Sequence, residues 1–190
     1  MMCCLRRYQR GFTLLETVIV IVLSVSMFIT VGLLIYNFSR ISLYQKTATQ
    51  SSGSASTVMR EMESLTLPAD AVLQTHTFVG GTYTSSSTVL VLEIPSVDSS
   101  GNTIASTHDY AVFYSVGTTS SYRLLEANAL STRVSGTKLL SSTMKAFTFT
   151  FNDADFTKVN IVTVDVQTQA QVKQDTVSDH RSEQMRLRNQ

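Results

Sequence analysis

The chain has 190 residues, 15 of them Lys or Arg and 14 Asp or Glu, with 43% hydrophobic and 15% charged residues. That length holds one domain plus an anchor, and so much apolar sequence with so little charge excludes a disordered chain. The near-neutral balance supplies no field to steer a strongly charged partner.

The first eleven residues, MMCCLRRYQRG, carry Arg6, Arg7, Arg10 and both cysteines, Cys3 and Cys4. If the chain is cut after Gly11, 12 basic side chains remain against 14 acidic ones, and no cysteine. The folded part then has no disulfide and no thiolate metal site, and its mildly acidic balance argues against nucleic acid. Residues 17–39 follow, 23 residues without a charge. A helix of that length covers ~35 Å, enough to span a hydrocarbon core of about 30 Å. A cleaved secretory signal predicts an apolar core of only ~7–15 residues and a small-residue cleavage site. NFSRISLYQ, residues 37–45, offers no such site. The leader arginines keep the N-terminus cytoplasmic and send everything after Arg40 across the membrane. Glu16 is the anomaly, because a charge deep in a membrane helix costs roughly 2.5–3.5 kcal/mol.

RGFTLLE, residues 10–16, gives that glutamate a context. A short basic leader ends in Gly11, Phe12 follows, Glu16 is the fifth residue after the glycine, and an apolar helix begins. This resembles the class III signal of type IV prepilins and type II secretion pseudopilins. The resemblance implies that a membrane prepilin peptidase cuts between Gly11 and Phe12 and N-methylates Phe12. It implies a structural subunit, without cofactor or catalysis, that joins other pilin or pseudopilin subunits through its N-terminal helix. An inner-membrane assembly platform would be a further partner. The subunit would begin as a single-pass inner-membrane protein with its head exported and end in an extracellular or periplasmic filament. Glu16 could then face the new amine of a neighbour's Phe12, since a buried charge is tolerable mainly when paired. One departure is that residues 17–40 lack the mid-helix proline of many pilins. Ser24, Ser26, Thr30 and Gly32 could let neighbouring helices approach closely.

Beyond the anchor, Ile41, Tyr44, Ala48, Ser51, Ala55, Val58, Met62 and Leu65 recur every three or four residues. The stripe is weak around residues 51–56, and Pro68 ends it. From Asp70 the period becomes two, which predicts strands at 72–79, 88–94, 110–116, 122–126, 145–151 and 159–167. KAFTFTF is the clearest, with Phe147, Phe149 and Phe151 on one face. Residues 117–121 and 152–155 predict turns, and 95–102 and 128–137 longer loops. The polar tail, 171–190, reads either as a disordered end or as an edge strand over QMRLRN. The expected fold is α+β, a long N-terminal helix packed on an antiparallel head. Its parts are a leader (1–11), a transmembrane and assembly helix (12–40), an amphipathic stalk (41–67), a β head (68–170) and the tail (171–190). Strand order and aromatic positions over residues 60–170 resemble J-type pseudopilins and W-type minor pilins.

Nothing in the sequence supports catalysis. His76, His108 and His180 have no metal-type partner at helical or hairpin spacing, and His108–Asp109 reads as a loop-to-strand junction. No G-x-S-x-G, phosphate loop or calcium loop is present, and the NDAD turn at residues 152–155 reads as solvated. The alternatives are a major fibre-forming pilin, or a tip adhesin or DNA-uptake subunit using Arg186 and Arg188.

Overall fold

The computed structural model describes residues 13–173 and 175–188. The chain divides into two compact units, Met1–Leu43 and Tyr44–Gln190. One helix, α1 (Leu14–Thr66), runs through 53 residues, unbroken across residues 51–56 where the stripe is weak. In the first unit its side chains are exposed on every side, Phe28 at 78% and Leu23 at 62%. Three of its hydroxyls bond back to the helix itself: Thr17 donates to the Thr13 carbonyl (3.2 Å), Ser26 to that of Leu23 (2.9 Å) and Thr30 to that of Ser26 (2.8 Å). Back-bonded hydroxyls of this kind are compatible with an apolar surrounding.

In the second unit α1 buries Ala55, Val58, Met59, Met62 and Leu65. Each larger side chain contributes about 1.5–3 kcal/mol on burial. The stripe therefore outweighs any surface ion pair, of which most are worth ~0–1 kcal/mol. Ile41 and Tyr44 remain about half exposed, so the packed face begins later than the period suggests.

The strands are β1 (Ala71–Val72), β2 (Thr75–Phe78), β3 (Gly81–Thr84), β4 (Val89–Val97), β5 (Thr103–Val116), β6 (Ser120–Glu126), β7 (Gly136–Ser141), β8 (Met144–Phe151), β9 (Ile161–Val172) and β10 (Asp175–Arg186). They form an antiparallel five-stranded sheet, β1-β4-β5-β6-β7, a three-stranded sheet, β10-β9-β8, and the hairpin β2-β3. Leu90, Leu92 and Phe113 from the first sheet and Phe147, Phe149 and Val164 from the second join α1 in one core. A second, smaller cluster, Phe78, Val91 and Val112, lies on the other face of the larger sheet, flanked by Leu73 and Tyr83. That explains the unbroken apolar run VLVLEI in β4, since a strand covered on both faces need not alternate.

Several expectations need correction. The strand expected at 72–79 is broken, because the chain leaves the large sheet after Val72. Buried Ser85 takes over there, donating to the Leu73 carbonyl (2.6 Å) and accepting from the Val91 N–H (3.0 Å). The loop expected from residue 95 starts later, since β4 continues through Pro95 to Val97. Proline is tolerated there because the ladder is irregular: Pro95 pairs with His108 and Val97 with Thr103, leaving 104–107 bulged with Ser106 at φ 60°. His108 and Asp109 therefore lie inside β5 and not at a loop-to-strand junction. The loop expected over 128–137 gives way at Gly136 to β7. The tail adopts the edge-strand alternative, and β10 is longer than QMRLRN, with Met185 and Leu187 each 1% exposed. Residues 117–119 turn as expected, with Gly117 at φ 64°, a conformation glycine adopts without strain.

The helix meets the sheets through a polar seam where its stripe is weak. Ser51 and Thr168 share a buried hydroxyl–hydroxyl bond of 2.8 Å, and Thr168 donates to the Ser51 carbonyl at 3.1 Å. Ser54 pairs with Ser141 at 3.2 Å. Further along, the half-buried Glu61 carboxylate binds both Arg123 of β6 and, at 2.7 Å, Lys138 of β7.

Candidate processing and assembly site

Gly11, Phe12, Arg6, Arg7 and Arg10 lie outside the described residues, as do Cys3 and Cys4. The described part of the site begins at Thr13. Its Oγ1 accepts from the Glu16 N–H at 3.3 Å, and its carbonyl accepts from the Thr17 N–H at 3.1 Å. Thr13 is thus the N-cap of α1 and Glu16 its third residue, the T-x-x-E spacing of a capping box. A carboxylate there also faces the positive end of the helix dipole, worth about 0.3–1 kcal/mol at an exposed site. Sequence reasoning placed Glu16 at this edge for its charge and missed the cap, although the signal, a threonine three residues before it, was in plain view. Glu16 is exposed, and so are Leu14, Leu15 and the apolar side chains after it.

The histidines are brought to polar positions. His108 lies 3.4 Å from Asp70 and 3.4 Å from Glu93, His180 lies 3.3 Å from Asp165, and His76 stacks on Tyr110 with ring centroids 3.8 Å apart. Among the described residues, no group of three or more His, Cys, Asp or Glu side chains could hold a metal ion. The NDAD segment leads into a short 3-10 turn, Phe156–Lys158, capped by Asp155, whose carboxyl Thr157 holds below the ordinary value.

Among the described residues, the one fully buried carboxylate was not anticipated. Asp109 Oδ1 accepts from Ser96 Oγ (2.7 Å) and the Asn128 N–H (2.8 Å), and Oδ2 from Ser131 Oγ (2.7 Å) and Arg133 Nη1 (2.7 Å). Burial pushes this carboxyl up, but the Asn128, Ser131, Ser96 and Arg133 donors outweigh it and hold it below the ordinary aspartate value. The arrangement ties residues 128–133 to β5. On the opposite side of the charge balance, Glu183 of β10 meets Glu63 of α1. The neighbouring Glu63 carboxyl, which favours the protonated form, and partial burial raise Glu183 above its usual range.

Residues 6–32 match the model of the prokaryotic N-terminal methylation motif. No curated protein and no solved structure matches the chain. The match covers the leader arginines, Gly11, Phe12, Glu16 and about two thirds of the apolar run. Behind that signal the fold has one long apolar helix leading into antiparallel sheets. A helix long and apolar enough to cross a membrane, directly behind a methylation motif, fits a membrane-anchored subunit of the pilin and pseudopilin class that prepilin peptidase processes. The signal and the layout together support a type IV pilin-like protein.

Proposed function

We propose that the chain is a minor pilin or pseudopilin. It is cut between Gly11 and Phe12, methylated on the Phe12 amine, and assembled through α1 into a type IV pilus-like or type II secretion-like filament. The leader arginines hold the N-terminus in the cytoplasm and the head is exported. The functional parts are the leader 1–11, the assembly helix 12–40, the stalk 41–67 and the head from residue 68, with β10 drawing most of the 171–190 tail into it. The strand order supports a J-type pseudopilin or W-type minor pilin within that class.

The observation that carries this reading is Glu16, an exposed carboxylate in the first turn of an apolar helix, with no covering partner among the described residues. As an N-terminal helix residue it contributes tenths of a kcal/mol. As the counter-ion of a neighbour's amine inside an apolar bundle it matters far more, because a buried charge left unpaired costs about 3–5 kcal/mol. The two roles separate in Glu16→Gln, which keeps the side chain's size. The variant is expected to be cleaved and methylated normally but to be absent from the filament fraction. Mass spectrometry of the N-terminal peptide reads the first outcome and shearing of filaments the second. An intact Met1 leader on the wild type, in cells that process another prepilin, would overturn the proposal. Dominance of the chain in sheared fibres would make it a major pilin.

A further inference from the structure

Four stretches of chain far apart in sequence converge on a cleft of about 370 Å³. Pro68, two residues past α1, forms one wall. Pro95 and Val97 of β4, with Gly101 and Thr103, form another, and Arg133 and Arg188 complete it. No carboxylate is among these lining residues. We propose that this cleft binds a carboxylate, held between the guanidinium groups of Arg133 and Arg188.

The two arginines differ in how they are held. Arg133 uses one nitrogen, Nη1, for both of its contacts, with Asp109 Oδ2 and the Pro95 carbonyl. Its side chain is 18% exposed, so it is fixed before any ligand arrives, and the rest of the planar fork is free to donate. Asp109 neutralises it from behind without entering the cleft. Arg188 has no counter-charge among the described residues. Its position is set by its neighbour Leu187, which is buried and donates its N–H to the Asn160 carbonyl at 2.9 Å. The lining therefore carries one uncompensated positive charge on a fixed base. The nearby C-terminal end of α1 opposes an anion with about half a charge, less than one guanidinium supplies.

Size and charge select the ligand. The volume lies at the low end of small-ligand sites, which run from about 300 Å³. Two guanidinium groups form a planar fork for a carboxylate, not the long basic track that a nucleic-acid backbone requires. Apolar walls of Pro68, Pro95 and Val97 suit the aliphatic stem behind a carboxyl group. The carboxylate comes either from an acidic side chain of another protein or from a free small acid. This proposal does not rest on the pilin reading, and it stands or falls on binding alone.

The test is calorimetric titration of the full processed chain in neutral detergent at low salt. The probes are citrate, the acetylated peptide Ala-Asp-Glu-Ala amide, and a short single-stranded oligonucleotide. Saturable binding of one site per chain by either carboxylate is expected, weakening as salt rises. Loss of a charge-assisted contact predicts that Arg188→Gln lowers affinity about tenfold or more. Thr103→Glu, which places a carboxylate in the cleft and leaves both arginines in place, should abolish binding. Arg186→Gln, on β10 but outside the cleft, should leave it unchanged. Tighter binding of the peptide identifies a protein side chain as the source, and binding of citrate alone a free acid. No saturable binding of either carboxylate by the folded wild type overturns the proposal. So does equal weakening by the Arg186 and Arg188 variants, or an oligonucleotide that outcompetes both carboxylates.

Discussion

Replacing Asp109 with Asn tests how the head is held together. The Oδ1 side of the group survives, so Ser96 and the Asn128 N–H keep an acceptor. On the other side an amide now meets Arg133 Nη1, a donor facing a donor. The charge-assisted bond lost there is worth about 1.5–3 kcal/mol. Arg133, 18% exposed, is then left largely buried without its counter-ion. Breaking a fully buried pair costs about 3–5 kcal/mol, and partial exposure moderates that, so a loss of about 3 kcal/mol is expected. That is a large share of the ~5–15 kcal/mol that holds a domain together. The assay is urea unfolding followed by tyrosine emission, since the chain has 7 Tyr and no Trp. Four of those tyrosines, Tyr83, Tyr110, Tyr114 and Tyr122, lie in the head's strands. The pH dependence supplies a second check. Because the folded carboxyl lies below its ordinary value, its contribution is complete above about pH 4 and fades as pH falls through the depressed value. The gap between wild type and variant should therefore be constant near neutrality and close only in strong acid. A loss below 1 kcal/mol, or a gap closing already between about pH 5 and 6, would refute the reasoning.

Glu183→Gln should raise the melting temperature at neutral pH, because it removes repulsion from Glu63; a raised folded pKa means the penalty is present when ionised and disappears as pH falls into the ordinary glutamate range. The gain should accordingly vanish near about pH 4, as scanning calorimetry at both pH values would read. Thr168→Val strands the buried Ser51 hydroxyl and should destabilise the head by about 1–3 kcal/mol, while adding Ser51→Ala should restore part of the loss. A stop codon after Lys173 removes Val177, Met185 and Leu187 from the protein interior. At about 1.5–3 kcal/mol each, their loss is comparable with the whole stability, and limited proteolysis should find the head unfolded.

Sequence periodicity recovered the elements whose two faces differ. KAFTFTF declared β8 because its phenylalanines face the core and Thr148 and Thr150 face water. β7 escaped because GTKLLS mixes its signals: Lys138 points toward Glu61 of the helix while Leu139 is 51% exposed. β10 was half legible because Asp179, Arg181 and Glu183 share the face of Val177 and Met185 and break up its apolar signal; inward-pointing charges are also a device that keeps an edge strand from pairing with other chains. Its inward Val177 and Met185 are eight residues apart and carry too little apolar signal alone. At the processing site the charge of Glu16 was legible and its cap was overlooked. The Asp109 cluster could not be read at all. Its four donors come from residues 96, 128, 131 and 133, which only the folded chain brings to the carboxylate.

The closing of the core by residues 185 and 187 also sets a timetable. Ser51 must wait for Thr168, a partner 117 positions later, and the apolar face of α1 waits longer still for Met185 and Leu187. Contacts at such separation form late and slowly, since the intervening chain must be gathered first. The last wall of the interior does not exist until the chain has been made through Leu187. Throughout synthesis the stalk's stripe is an uncovered apolar surface, and a prematurely terminated product never hides it. β10 and Leu187 act as a length check written into the architecture: only a polypeptide that reaches them can withdraw its helix from proteases and chaperones.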